Sequence, residues 1–170
     1  MKTLLLSAFV LIAFAACGQG DKSKRPSPPA QAKETLNSGT TITIDYSQPA
    51  LKGRTIGQDI EPKDGEVWRT GANEATVFET DKDLKVEGQA LPAGKYGLFT
   101  LVNGDEWTII FNKTWKQWGA FGYKEADDAL RVKVKAQKNE TAAERFTITI
   151  SKDGKISLMW GDRLVVFTVN

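Results

Sequence analysis

Residue types able to do chemistry gather in one stretch, Val67-Trp68-Arg69-Thr70-Gly71-Ala72-Asn73-Glu74-Ala75-Thr76. A guanidinium, an amide and a carboxylate, from Arg69, Asn73 and Glu74, sit beside the indole of Trp68. Between them Thr70, Gly71 and Ala72 are small enough for the backbone to turn tightly or for a ligand to come close. One reading is a polar binding site with an aromatic wall. The other is structural: Arg69 or Arg54 ties Glu74 into a loop corner while Trp68 belongs to the core. The residues alone leave both open. Lys52 and Arg54, in the segment Lys52-Gly53-Arg54, are further candidate cations for the same site.

Asn73-Glu74 also resembles a pair found in some sugar hydrolases, where the Glu acts as acid or base and the Asn holds a substrate hydroxyl. Those enzymes need an eight-stranded barrel of at least about 200 residues. A chain of 170 residues does not supply one. A retaining mechanism also needs a second carboxylate at roughly 5 Å. A hydrolase using Glu74 with another carboxylate or a metal is therefore the alternative to a binding function, and no catalytic residue is assigned.

A second constellation, Trp115, Trp118, Phe121 and Tyr123, places four aromatics in nine residues within a Gly-containing loop. Such a loop suits stacking on a sugar or peptide. The competing reading, which we favour, is an ordered loop that folds its own rings over the end of the core, because burying large rings stabilises any fold. Asp127-Asp128 with Glu125 lacks the looped Asp/Asn/Gly series of a calcium site and reads as a solvated acidic turn. Nothing in the spacing says whether the two main clusters meet.

Two absences narrow the chemistry further. There is no histidine, and the single cysteine is Cys17. A Ser-His-Asp triad, a Cys-His nucleophile, zinc sites built on His or Cys and an intrachain disulfide are all excluded. No metal or other cofactor is expected.

The start of the chain carries its own message. Lys2, the apolar run from Leu4 to Phe14 and the small residues Ala15 and Ala16 form an export signal too short to span a bilayer, which takes roughly 20 residues. Ala15-Ala16-Cys17 resembles the bacterial lipobox, with Phe14 where that motif usually has Leu. Lipidation of Cys17 would anchor the protein, since each buried methylene contributes about 0.8 kcal/mol and several acyl chains hold what one does not. The alternative is plain cleavage leaving a free thiol, a liability in an oxidising compartment. Loss of residues 1–16 removes Lys2 alone among the charges, so 23 basic residues fall to 22 against 21 acidic. That balance gives no basic footprint for nucleic acid. The expected location is exported and membrane-anchored, at the outer membrane on its periplasmic or surface face.

From Gly18 to Ser38 the composition turns to Gly, Lys, Ser, Pro, Gln and Asn with almost nothing apolar to bury, which predicts a flexible tether. The expected organisation is a lipoprotein signal over 1–16, a lipidated cysteine and tether over 17–38, and one domain over 39–170. Within that domain Thr41-Ile42-Thr43-Ile44-Asp45-Tyr46 alternates cleanly as a half-buried strand. The arms 96–101 and 107–111 flank Asn103-Gly104 as a hairpin, apolar on both faces and hence central. Further alternating runs occupy 84–88, 130–135, 146–150, 156–160 and 164–169, with a turn expected at Gly161-Asp162-Arg163. No stretch has a helix start, apolar stripe and stop. About nine short strands predict an all-β fold, an antiparallel β-sandwich, with a barrel or jelly roll as the variant.

Several blocks together resemble the domain of unknown function 2911 family: Arg25-Pro26-Ser27-Pro28-Pro29, Ile44-Asp45-Tyr46-Ser47-Gln48-Pro49, Lys52-Gly53-Arg54, the central ten residues from Val67, Leu91-Pro92-Ala93-Gly94-Lys95-Tyr96-Gly97-Leu98-Phe99 and Trp118-Gly119-Ala120-Phe121. The resemblance implies a compact, exported or lipid-anchored single domain from Bacteroidetes-type bacteria and brings no activity. It also implies that the proline segment belongs with the domain. The combined expectation is a lipid-anchored cell-envelope module that binds a carbohydrate, a peptide or a partner protein. A purely structural envelope protein is the third possibility.

Overall fold

Strict alternation of β-branched and aromatic residues with polar ones leaves most of this chain a single option, pairing into sheet. The computed structural model describes residues 21–170, and ten strands run through them. They are β1 (Pro29–Thr35), β2 (Thr41–Ser47), β3 (Val67–Trp68), β4 (Thr76–Thr80), β5 (Leu84–Val86), β6 (Gln89–Leu91), β7 (Gly94–Asn103), β8 (Glu106–Asn112), β9 (Asp128–Ile150) and β10 (Lys155–Thr168). The main antiparallel sheet has the order β1-β2-β4-β7-β8-β9-β10, with β3 on the end of β7, and β5-β6 form a separate hairpin. The segment expected to be an export signal and Cys17 lie outside the described residues.

This sheet curls until the far half of β9 comes back against β2 and the turn after it, giving a sandwich with a barrel-like closure. The amide of Ile148 in β9 donates to the hydroxyl of Tyr46 in β2 at 3.0 Å, and Phe146 N–H donates to Pro49 O at 2.9 Å. At the other end β5 exchanges backbone hydrogen bonds with Asn170, so the hairpin closes over the C-terminus. Inside, Ile42, Ile44, Phe78, Leu98, Trp107, Phe111, Phe146, Trp160 and Phe167 are shut from solvent. The rings of Trp68 and Phe146 meet edge to face at 5.0 Å, as do Phe78 and Phe111.

The central hairpin forms as expected, but its turn is Gly104-Asp105, one residue beyond the expected Asn103-Gly104: Gly104 takes φ +59° while Asn103 stays in the ladder, paired to Glu106. Its inward residues Leu98, Val102, Ile109 and Phe111 join the main core. Phe99 and Ile110 point outward and are buried all the same, in a second small cluster with Ala75. That explains the apolar character of both faces.

Two expectations are corrected. Gly161-Asp162-Arg163 is a bulge inside the continuous β10, where pairing to β9 slips on either side of Gly161 (φ +58°). Buried positions switch from Ile156, Leu158 and Trp160 to Val165, Phe167 and Val169. An extra residue restores an inward face of the opposite parity, which in sequence resembles two strands and a turn. The runs 130–135 and 146–150 are likewise the two ends of one strand, β9, which leaves β8 and continues along β10.

The second correction concerns the tether. β1 pairs with β2 along its whole length, from Pro29↔Ser47 to Thr35↔Thr41, and Leu36 is buried beyond it. Upstream, Lys22–Lys24 forms a single 3-10 turn capped by the Asp21 side chain. Composition misleads here because an edge strand is held by its ladder: one face of β1 offers only Ala30 and Ala32 to the core. Pro29 at its first position removes no ladder donor that a central strand would need.

Candidate functional site

The loop after β3 is built on strain. Thr70 and Asn73 adopt positive φ, +52° and +62°, and Gly71 at φ +158° is extended. A β-branched residue in the left-handed region is costly and persists only when its surroundings overdetermine it. For Thr70 they do: its hydroxyl meets that of Thr100 at 3.3 Å, and its carbonyl accepts from the Thr76 hydroxyl at 2.7 Å. Gly71 is favoured by space instead, since a Cβ there would lie 3.0 Å from Thr76 Oγ1 and 3.1 Å from Ser47 O and would press on both. Trp68 is a core residue whose indole N–H donates to Gly71 O at 3.0 Å and closes the turn.

Glu74 emerges from this loop between two cations. Arg25 Nη1 donates to Oε2 at 2.8 Å, and Lys22 Nζ lies 3.1 Å from Oε1. Burial raises the carboxyl's pKa, yet its own backbone N–H, Arg25 and Lys22 outweigh that and bring it down to about 2. The structural reading expected Arg69 or Arg54 as the partner. Arg69 instead pairs with Glu61 at 3.2 Å. Arg54 donates from Nε and Nη2 to Leu51 O and Ala50 O, which stiffens the turn after β2. Lys52 is exposed on that turn and lines none of the cavities described below.

The two clusters do meet. Glu74 and Trp118 form an antiparallel bridge, Gly119 N–H donates to Asn73 O at 2.9 Å, and Ala75 N–H donates to Gln117 O at 3.0 Å. Asn73 Nδ2 also donates to Ser27 O at 3.0 Å. The loop after β3, the aromatic loop and the N-terminal segment thus share one edge of the sandwich. Arg25, from that last segment, stacks its guanidinium 5.8 Å from the centre of the Trp118 ring.

Within the aromatic loop the rings separate by role. Tyr123 packs on Phe99, donates to Asp128 Oδ2 at 2.7 Å and accepts from Arg131 Nη2 at 2.8 Å. Burial and the Asp128 carboxylate push its phenol up to about 12. The Asp128 side chain is 7% exposed and also binds Arg131 and Asn112, so the expected solvated acidic turn is a buried network at that residue. Trp115 is half-buried, with the Lys95 and Lys116 ammonium groups 5.7 and 5.3 Å from its ring centre. Trp118 and Phe121 stand out at 56% and 87% exposure.

Two clefts of about 180 Å3 each flank this junction. One is lined by Lys22, Arg25, Asp45, Tyr46 and Glu74. The other is lined by Ser27, Arg54, Glu61, Trp68, Arg69 and Gly71. In the second, two arginines face one glutamate, and Arg69 Nε is buried without a hydrogen-bond partner. Among the described residues no three Asp, Glu, His or Cys side chains converge as a metal site would require. Lys22, Arg25, Ser27 and Glu61 were absent from the sequence-derived site. The signal for Arg25 and Ser27 was the Arg25-Pro26-Ser27-Pro28-Pro29 block, which composition had placed in a tether.

Fold and site together define a small all-β sandwich whose one edge carries an arginine-lined cleft and an exposed aromatic loop. A family model described as "Protein of unknown function (DUF2911)" matches residues 27–169, and the chain belongs to that family. Searches of curated proteins and of solved structures returned no match.

Proposed function

We propose that this is a non-enzymatic, lipid-anchored module of the cell envelope that binds a carboxylate-bearing group of a carbohydrate, a peptide or an envelope protein in the Arg54–Arg69 cleft. The observation that carries the reading is charge: Arg54 and Arg69 line one cleft with Glu61 as their single acid. One positive charge is left for an anion, and guanidinium forks suit planar carboxylates. A volume of about 180 Å3 compares with roughly six waters at ~30 Å3 each, below the range of whole-ligand pockets. The cleft therefore takes the end of a larger molecule, such as a uronic acid or a peptide C-terminus.

The hydrolase alternative has less support. Asp45 lines the same cleft as Glu74, but a carboxyl held near 2 by two cations is not protonated at neutral pH and cannot serve as general acid.

The test is a thermal-shift screen against uronic-acid oligosaccharides and peptides with free or amidated C-termini. A ligand that binds only the folded state at 100 times its Kd adds about 2.7 kcal/mol. The expected result is a shift with the carboxylated members alone, lost in Arg69→Ala. A shift that survives Arg69→Ala, or none with any carboxylate, overturns the proposal.

A further inference from the structure

We infer that the edge carrying Trp118 and Phe121 lies against a bilayer surface containing anionic lipid, so that the protein is held by a docked face as well as by its anchor. The inference rests on the proposed lipidation of Cys17 for its geometry and on the exposed side chains for its chemistry. Trp118 and Phe121 are the large hydrophobic side chains left exposed among the described residues, and they lie three apart on one loop. That loop is not slack: the Asn73–Gly119, Ala75–Gln117 and Ala120–Tyr123 backbone hydrogen bonds pin it on both sides of Trp118. The Phe121 ring rests against Gly119, where a Cβ would come within 3.1 Å of it. A protein that holds two rings out in water on a fixed turn presents them to something apolar.

Chain length says what that is. The guanidinium of Arg25 stacks on Trp118, and the single turn Lys22–Lys24 leads back from Arg25 to Asp21. Four residue steps separate Asp21 from Cys17, a reach of at most about 14 Å. An acylated Cys17 would therefore place headgroups within reach of the aromatic loop.

Charge fits the same occupant. From Lys113 to Lys124 the loop carries three lysines, Lys113, Lys116 and Lys124, and no acidic residue. All three are exposed, as is Lys24 on the adjoining turn. Aromatic rings flanked by lysines suit the headgroup region, where indoles partition and ammonium groups meet anionic lipid.

The test reconstitutes the full chain in phosphatidylethanolamine–phosphatidylglycerol vesicles whose acyl chains carry bromine, a contact quencher of indole fluorescence. Trp68, Trp107 and Trp160 are buried in the protein and silent to it, and the half-buried Trp115 is replaced by Phe in every sample so that Trp118 alone reports. Flotation of the chain with vesicles, compared with Cys17→Ala, reads the anchor separately. The expected result is flotation together with bromine quenching that Trp118→Phe removes, and protection of Trp118 from aqueous iodide. Phe121→Ser is expected to lower retention of the unanchored Cys17→Ala chain on the vesicles by about tenfold, the effect of losing one buried ring. Flotation with Trp118 unquenched and open to iodide overturns the docked face and leaves the anchor standing. No flotation overturns the anchor; Trp118 quenching in added vesicles then sustains the face, and its absence overturns that too.

Discussion

Replacing Glu74 by Gln tests whether the N-terminal segment is held to the sandwich by charge. The carboxylate receives Arg25 at 2.8 Å and Lys22 at 3.1 Å, and its pKa falls from an ordinary 4.5 to about 2. Taken at face value that displacement corresponds to about 3 kcal/mol. The Glu74 side chain is 42% exposed, however, and the Lys22 side chain 50%, so solvent screens both pairs. Exposed pairs contribute about 0.2–1 kcal/mol each, and about 1 kcal/mol for the two together is the appropriate figure. In a chain of this size that is a loss of about 2–4 °C in melting temperature.

The pH dependence gives the sharper reading. A carboxyl whose folded pKa is depressed contributes stability that is complete above its unfolded value of about 4.5 and disappears as pH falls toward 2. Urea denaturation of wild type and Glu74→Gln should differ by about 1 kcal/mol at pH 7 and converge between pH 4.5 and 2. Asp21 and Asp153, also held low by hydroxyls of Ser23 and Ser151, titrate in both proteins and cancel in the comparison. At 1 M NaCl the neutral-pH difference should shrink. A difference that persists at pH 2, or none at pH 7, refutes the argument that ion pairing at Glu74 docks this segment.

Two further outcomes follow from the same contacts. Tyr123→Phe removes the hydroxyl that donates to Asp128 and accepts from Arg131; it should cost about 1–2 kcal/mol in urea while leaving any ligand-induced thermal shift unchanged, since Tyr123 lines neither cleft. A chain that begins at Gly39, the domain start that composition suggests, lacks β1 and bares the full β2 ladder; analytical ultracentrifugation should show it aggregated, whereas a chain from Asp21 sediments as a discrete species.

The legible parts of this protein were those where one residue's environment is set by its near neighbours. Ile42, Ile44 and Tyr46 announce a half-buried strand because the pleat has a period of two. Phe99 and Ile110 announce a hairpin covered on both sides for the same reason. Where the period breaks the reading broke with it, since Gly161 shifts parity without ending β10 and a bulge and a turn draw on the same residues. The site was half legible. Arg69, Asn73 and Glu74 stood out as a polar cluster, but their partners are set by tertiary structure. Glu74 finds Arg25 across 49 residues, and Asn73 finds Ser27 across 46.

That separation also explains why β1 and the Lys22–Lys24 turn looked like a tether. Polar residues in an isolated segment predict solvation, yet several polar groups here are answered by polar groups elsewhere: the ladder by β2, Arg25 and Lys22 by Glu74, Ser27 by Asn73. Ordering such a segment yields little apolar burial, so its stability rests on groups that water competes for. A docked segment of this kind holds the chain at residues 22–27 against the edge that carries Trp118. Trp118 is part of the same arrangement, because Arg25 pairs with Glu74 and stacks on the indole with one guanidinium. Docking of the N-terminal segment and the surroundings of Trp118 are thus coupled through Arg25, and a change at Glu74 should be felt at Trp118.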